Sequence, residues 1–297
     1  MGLGVFCFVS NLDTGGAIQK GRNKMAEINL AHKYDPKVVE RYSIGSITDA
    51  YAGKAFDFTG VNGITVWSVD TVPMTDYTPS GTERFGQLVE LGDTKQEMLM
   101  RKNRGFTFSI DKTNSTQQFN IKAATRALKR EVDEVMTPEL DTYRLEQWCA
   151  GAGLSAIGSL NKSNVIAAIL GAGAGMNNKL VPKKNRALFI KESVFLEVKL
   201  ADQVVGIDRL GEKAVKNGSV GMLGGMAVVP VPDIYLPENV NFLVKYKDAT
   251  VDPVKLKTLR ILNEQRGIDG EVVEGHIIYD SFVLTAKANG LYVHKTA

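Results

Sequence analysis

The sequence predicts an α+β fold in which an exposed strand leads directly into a long amphipathic helix. Phe106, Phe108 and Ile110 alternate with polar residues, which is the period-two pattern of a strand with one buried face. Beyond this strand, apolar residues recur at helical spacing, at Ile121, Ala124, Leu128, Val132 and Val135. Short strands rich in β-branched and aromatic residues close the chain. A long arm leading onto a long helix favours a protein whose copies contact several neighbours.

Composition and charge argue against two broad classes of protein. The chain has 297 residues, 44% of them hydrophobic, enough for one large domain or two ordinary ones. No run approaches the roughly 18 apolar residues of a membrane span, so we expect no membrane partner. With 36 basic and 33 acidic residues, the charge is too balanced for a dedicated nucleic-acid binder. Cys7 and Cys149 lack disulfide or metal spacing, and are expected to be free thiols.

Residues 1–24 are expected to be a translated leader that is not part of the fold. They are Gly-rich and lack periodicity, whereas Met25 opens a sequence that reads like an ordinary start. The stretch Lys20 to Lys24 can be back-translated to a purine-rich ribosome-binding sequence placed ahead of a start codon. A signal peptide is the alternative, which the uncharged beginning and short apolar run disfavour.

Residues 63–111 are predicted to form a long, irregular hairpin too polar to be core. A strand at 64–69 and a returning strand at 98–110 flank a stretch rich in Pro, Gly, Thr and charge. The expected tip consists of Pro79, Ser80 and Gly81. A basic cluster on the returning strand consists of Arg101, Lys102 and Arg104. Such a cluster is most simply a solvated surface.

The helix that follows is predicted at 115–150, with a junction near its middle. Thr137 and Pro138 combine a cap residue with Pro at the first helical position, so a second helix is expected to begin there. Alternatively, Pro138 only kinks one continuous helix. Residues 151–175 are rich in Gly, Ala and Ser, with a short helix expected at 163–170. Asn289-Gly290 predicts a hairpin turn between strands at 282–286 and 291–294.

No constellation of residues points to catalysis, a metal or a cofactor. The triplet Asp13-Thr14-Gly15 resembles that of aspartic proteases, but those enzymes need two carboxylates and no second copy exists. Glycines 171, 173 and 175 lack the third Gly of a dinucleotide fingerprint, so a flexible loop is expected there. His32, His276 and His294 have no ligand-type spacing. We therefore expect no enzyme activity, cofactor or metal.

The ordered set of segments resembles the major capsid proteins of tailed bacteriophages, which have the Hong Kong 97-type fold. RGFTFSIDKTNSTQQ at 104–118 resembles the end of the extended loop entering the spine helix. VDEVMTPELDTYRLEQW at 132–148 resembles the second part of that helix, and GHIIYDSFVLTAKANGLYVHK at 275–295 the closing strands. The resemblance implies an N-terminal arm at 25–62, an extended loop (E-loop) at 63–111, a peripheral domain at 112–160 and 250–297, and an axial domain at 161–249.

The resemblance also implies partners. Copies would form pentamers and hexamers of an icosahedral shell, with a separate scaffolding protein and a portal, assembled in the bacterial host cytoplasm. The shell, as part of the virion, would contact double-stranded DNA non-specifically through phosphates. The tip and the basic cluster are the candidate inter-subunit contacts. Some members cross-link a loop Lys to an Asn of another subunit, and the conceivable residues here are Lys95, Lys102 and Asn289.

Two structural alternatives and one enzymatic alternative remain open. An encapsulin-like nanocompartment would share the fold but package an enzyme. A phage tail or bacteriocin sheath component would form tubes instead of closed shells. An enzyme on an α+β scaffold is disfavoured by the missing acid–base, metal or phosphate constellation.

Overall fold

A mixed six-stranded sheet, a three-stranded antiparallel sheet and a long helix that packs against both organise the fold. The computed structural model describes residues 45–56, 58, 63–112, 124–201, 221–263, 265 and 267–296. The expected leader at 1–24, most of the expected arm and the predicted helix start at 115–123 lie outside this part of the chain.

The strands are β1 Gly63–Val69, β2 Asp93–Leu99, β3 Lys102–Asp111, β4 Leu154–Ile157, β5 Arg186–Lys191, β6 Gly221–Leu223, β7 Met226–Val231, β8 Val240–Tyr246, β9 Thr250–Val251, β10 Val254–Leu262, β11 Gly270–Tyr279, β12 Phe282–Val283 and β13 Leu291–Lys295. The helices are α1 Ala124–Glu131, α2 Thr137–Ala150, α3 Val165–Asn178 and α4 Glu192–Lys199, with a π-helical turn at Val132–Met136 and short 3-10 turns at Asp49–Tyr51, Asp233–Tyr235, Lys247–Ala249 and Thr285–Gly290.

The six-stranded sheet is buried on both faces. Its order is β4-β13-β8-β5-β7-β6, with β4–β13 and β5–β7 parallel and the other pairs antiparallel. Leu188 and Ile190 point into the cluster with α3 and α4, whereas Ala187 and Phe189 face Trp148 of α2. Every residue of β5 is therefore buried, which explains its continuous apolar run. Because β4 and β13 belong to this sheet, residues expected in the peripheral domain share a core with those of the expected axial domain.

The long helix is continuous from α1 through the π-helical turn into α2. Pro138 has no N–H, so a regular hydrogen-bond ladder cannot pass through it. Instead, the Val132 carbonyl accepts the Thr137 N–H five residues on and the Thr137 hydroxyl at 3.0 Å. This wider turn keeps the helix unbroken. Of the two predicted outcomes, the continuous helix is confirmed.

The predicted returning strand at 98–110 is two strands that join different sheets. β2 pairs with β1, whereas β3 forms the edge of the three-stranded sheet β10-β11-β3. At the break, the Arg101 N–H donates to the Asp280 carboxylate at 2.8 Å. The single-strand prediction is therefore wrong, because a tertiary carboxylate replaces a ladder partner at this position.

Two glycine predictions are also wrong. Gly171, Gly173 and Gly175 lie inside α3, where the expected loop is absent, because burial of this apolar helix outweighs a propensity cost of about 1 kcal/mol per glycine. Asn289 and Gly290 end a 3-10 turn instead of forming the expected hairpin turn. Neither residue has the positive φ that a type I′ turn needs. A Cβ at Gly290 would lie 2.8 Å from the Cβ of Ala249, so this glycine permits close packing.

Two glycine-to-alanine changes should have opposite effects on stability. Gly225 has φ +82° in the β6–β7 turn, and Gly171 is helical; a Cβ would meet open space at both. We expect Gly225→Ala to lower the unfolding free energy by about 1 kcal/mol through backbone strain. Gly171→Ala should raise it by about 0.5–1 kcal/mol. Urea unfolding of both variants measures the difference, and equal signs would contradict the assignment of these backbones.

Candidate subunit-contact surface

The hairpin of β1 and β2 concentrates exposed apolar side chains. Of 21 large apolar side chains that are exposed in the described residues, ten lie between Gly63 and Leu99. Met74, Phe85 and Leu88 are at least 85% exposed. The other seven are Trp67, Val69, Val72, Tyr77, Val89, Leu91 and Leu99. Soluble monomers rarely leave large apolar patches uncovered, so the concentration of exposed apolar side chains on one hairpin favours a surface that a partner covers.

The expected tip does lie at the far end of this hairpin. The Thr78 N–H donates to the Arg84 carbonyl at 3.0 Å, and Arg84 Nε donates to the Gly81 carbonyl at 3.1 Å. Gly81 has φ +95°, which favours glycine. Pro79, Ser80 and Gly81 are all exposed. The tip is thus a defined turn whose side chains are accessible to solvent.

The hairpin is acidic, whereas the residues that follow it are basic. Residues 63–99 carry six acidic and two basic side chains, a formal charge of −4. On the outward face of β2, Lys95 Nζ lies 2.5 Å from Glu97 Oε1, and this hydrogen bond and charge lower the pKa of Glu97. Lys95 is also paired across the ladder with the exposed Trp67. An acidic, apolar arm suits a basic surface with apolar patches.

The basic cluster lies along the long helix, and two of its members have intramolecular partners. Lys102 Nζ lies 5.0 Å from the centre of the Tyr143 ring, and Arg104 Nε lies 2.9 Å from Glu139 Oε1. All three members remain exposed. The Arg104–Glu139 pair, at 61% and 39% side-chain exposure, is screened by water and can exchange partners at little cost. Asn289, the conceivable cross-link acceptor, is exposed at the end of its 3-10 turn.

A buried carboxylate that the sequence did not single out joins four parts of the fold. Asp252 Oδ1 accepts from Trp148 Nε1 at 2.8 Å and from Ser281 Oγ at 2.5 Å. Asp252 Oδ2 accepts from Thr250 Oγ1 at 2.6 Å and from the Gly53 N–H at 2.8 Å. The long helix, β9, the turn between β11 and β12 and the segment around residue 53 therefore meet at one side chain. The one signal in the sequence is the position of Asp252 as a single acidic residue between two strands.

Lys245 lies beside this carboxylate with no solvent exposure. Its Nζ is 3.9 Å from Asp252 Oδ2, 4.1 Å from the Trp148 ring centre, and donates to the Tyr51 carbonyl at 2.6 Å. Burial lowers the pKa of Lys245 to about 8, and Asp252 partly opposes this effect. The ammonium thus fastens residue 51 to the central strand of the six-stranded sheet.

A second buried carboxylate holds the segment just before Asp49. Asp141 of α2 accepts from Ser46 Oγ at 2.8 Å, the Ile47 N–H at 2.9 Å and Thr48 Oγ1 at 2.5 Å. Arg144 Nη1 donates to Thr48 Oγ1 at 3.0 Å, so the network continues along the helix. Together, Asp141 and Asp252 fix the segment of residues 46–53 against the body.

The described histidines and cysteine are held by neighbouring side chains or by burial. Burial lowers the pKa of His294, whose Nδ1 is 3.1 Å from Asn241 Nδ2, and His276 contacts Asn103. Burial raises the pKa of the Cys149 thiol to about 12. Within the described part of the chain, no group of His, Cys, Asp and Glu could hold a metal ion. Nor does that part contain a helix with the length and apolar character to cross a bilayer.

Comparison with known proteins shows a fold shared with phage capsid structures. No family model and no curated protein matches the chain. A cyanophage P-SCSP1u capsid structure superposes with a TM-score of 0.72 at 11% identity, covering 91% of this chain and 93% of the other. The mature capsid of bacteriophage PhiM1 gives 0.68 at 12% identity, with coverage of 96% and 97%. A Mycobacterium phage Che8 chain gives 0.66 at 15% identity, covering 90% and 97%. The chain therefore has a mixed helix-and-strand fold similar to that of these phage capsid structures.

Replacing Asp252 by Asn should destabilise the fold strongly. One oxygen acceptor becomes an NH2 donor facing other donors, and Lys245 loses its counter-ion. We expect the unfolding free energy to fall by about 2–4 kcal/mol in denaturant titrations. Asp269→Asn, at an exposed position, is the matched control and should stay within about 0.5 kcal/mol of wild type. Similar values for both variants would show that the buried carboxylate has no such role.

The buried lysine predicts a pH dependence of stability. Its pKa is about 8 in the fold against 10.5 when unfolded, so the unfolded state binds more protons between these values. Wild-type stability should therefore rise with pH across that interval, by up to about 3 kcal/mol relative to Lys245→Met. Urea unfolding of both proteins between pH 7.5 and 10.5 tests this, because the other titrating groups are common to both. A constant difference would rule out the lowered pKa.

Proposed function

We propose that this protein is a major capsid protein whose copies assemble into the icosahedral shell of a tailed phage. The observation that carries the proposal is the exposed hairpin of residues 63–99, with its ten uncovered apolar side chains, on a fold similar to that of phage capsid structures. The similarity extends over at least 90% of both chains in each of the three comparisons described above. A closed shell covers such an arm with the next copy, because each copy offers the same surfaces.

In finer detail, we propose the Hong Kong 97-type arrangement. The β1–β2 hairpin then serves as the extended loop, the helix from α1 to α2 as the spine, and the six-stranded sheet as the centre of the domain near the capsomer axis. The order of these elements along the chain supports this proposal. With this structural role, we expect the protein to have no enzyme activity.

For inter-subunit contacts, we propose that the acidic hairpin of one copy lies on a basic surface of the next. The hairpin's formal charge of −4 and its exposed tip favour this. Arg101, Lys102 and Arg104 are candidates for the receiving surface, because all three are exposed. Such complementarity orients association more than it strengthens it. A covalent link from Lys95 or Lys102 to Asn289 of another copy remains a further proposal, which intact-mass analysis of shells would test.

The remaining proposed partners are a separate scaffolding protein, a portal and packaged DNA. Arg126 and Lys129 on α1 are exposed and can contact phosphates without reading sequence. Assembly would take place in the bacterial cytoplasm, and the mature location would be the virion.

Expression alone, followed by negative-stain electron microscopy and sizing, tests the proposal. Closed polyhedral shells or capsomer rings are the expected result. Tubes would favour a tail or sheath component. Shells that enclose an enzyme, rather than DNA, would favour a nanocompartment. A stable monomer even on co-expression with neighbouring gene products would contradict the proposal.

A single charge on the hairpin should block assembly without unfolding the subunit. Leu88 is fully exposed, so Leu88→Glu should leave the unfolding free energy within about 0.5 kcal/mol of wild type. In a shell, the added carboxylate would be buried against a neighbour, and particle yield should fall at least about tenfold. Leu88→Met keeps the apolar contact and is the control that should assemble normally. Sedimentation velocity measures both, and normal assembly of Leu88→Glu would remove Leu88 from the interface.

A further inference from the structure

Within the described ranges, the contacts that join the hairpin to the body lie near its base. Met98 is 1% exposed and packs with Phe58, Met100 and Leu284, and Ile64 and Val66 lie against the same cluster. Further out, the hydrogen bonds that the structure gives for residues 69–93 stay within the hairpin. The body therefore controls the hairpin's direction through a short stretch of β1 and β2.

Among the residues that the structure describes, Gln96 makes the outermost polar contact between hairpin and body. Its Nε2 donates to the Val283 carbonyl at 2.8 Å, and its Oε1 accepts from the Thr285 N–H at 3.0 Å. One amide thus bonds two backbone groups of the same segment, in the manner of a strand neighbour. Only one orientation of the amide satisfies both contacts, so the side chain fixes distance and angle together.

Room for movement lies next to this contact. A cavity of about 370 Å³ separates the hairpin from residues 284–287, lined by Phe56, Trp67, Gln96 and Leu284 among others. The open volume leaves room for the hairpin to rotate about its base, with apolar packing limited to Val66 against the cluster of Leu284 at one end of the cavity. The two hydrogen bonds of Gln96 are consequently the specific restraint across this gap.

A small rotation at Gln96 has a large effect at the tip. At about 3.3 Å per residue, the chain from Trp67 to Gly81 reaches at most roughly 45 Å. A rotation of roughly 5° would then displace the tip by about 4 Å, comparable to the spacing of packed side chains. Apolar side chains such as Phe85 and Leu88 need placement within that distance to meet a partner surface.

We propose that Gln96 is the positioning residue that sets the direction of the hairpin, and thereby the geometry of the contact with the next copy. The effect of Gln96 on shell geometry rests on the proposed function. Its effect on the hairpin direction in the isolated subunit does not. Loss of the Gln96 contact should leave the fold intact while the hairpin samples several directions.

The first test uses unassembled subunits. Gln96→Met retains the length of the side chain but removes both hydrogen bonds, and Gln87→Met makes the same change at an exposed position of the same hairpin. Hydrogen exchange of the Thr285 amide should accelerate roughly tenfold in Gln96→Met, as expected for loss of one hydrogen bond, and stay unchanged in Gln87→Met.

Spin-label distances measure the hairpin direction itself. Labels at Ser80→Cys and Ala167→Cys, in a Cys7→Ser background, join the tip to the exposed face of α3; Cys149 is buried. We expect one narrow distance distribution in wild type and in Gln87→Met, and a broadened or shifted one in Gln96→Met. An unchanged distribution in Gln96→Met would overturn the proposal, whether or not shells form.

The second test compares assembled particles. Gln96→Met should give particles of mixed diameter or open sheets, whereas wild type and Gln87→Met should give uniform shells. Uniform shells from Gln96→Met would overturn the role in contact geometry. Absence of shells from wild type and Gln87→Met alike would instead count against the proposed function, while the distance measurement still decides the role of Gln96.

Discussion

The buried Asp252 carboxylate is the interaction on which the rest of the structure depends. It receives hydrogen bonds from the long helix, from β9, from the turn between β11 and β12 and from the segment around residue 53. Three of the four donors lie at least 29 residues from Asp252 in the sequence. Because a buried carboxylate is costly unless its oxygens are satisfied, these elements must converge together. Lys245 adds the opposite charge and extends the junction into the six-stranded sheet.

The body that this junction holds together contrasts with an accessible hairpin. The six-stranded sheet is covered on both faces, and the helix from α1 to α2 ties it to the three-stranded sheet. The hairpin, by contrast, keeps ten large apolar side chains in solvent. In an isolated chain these side chains contribute no hydrophobic stabilisation, because their apolar surface leaves water only when a neighbour covers the hairpin. In the described residues, the apolar side chains of the sheets are covered and those of the hairpin are not, a contrast that the proposed assembly would explain.

Much of the fold and part of the candidate site could be predicted from local pattern. The period-two alternation around Phe106 and the helical spacing after it predicted β3 and the long helix. The turn residues at 79–81 predicted the position of the hairpin tip. Asp252 and Gln96 could not be found in this way, because their partners Trp148 and Val283 lie 104 and 187 residues away in sequence. Neither residue belongs to a motif, and only tertiary folding brings the partners together.

The sequence by itself determined the elements whose cause is local. These are strands with alternating or continuous apolar residues, the helix with its Thr137-Pro138 junction, and the charge contrast between the hairpin and the residues after it. Where local propensity and packing compete, the tertiary structure decided the conformation. Residues 171–175 are helical because the burial of apolar side chains outweighs the helix-propensity cost of glycine. Asn289 and Gly290 do not form the predicted hairpin turn, and Gly290 instead packs closely against Ala249. It also decided which strands pair, since β13 joins β4 and β8 across long stretches of chain and a local pattern carries no information on such partners.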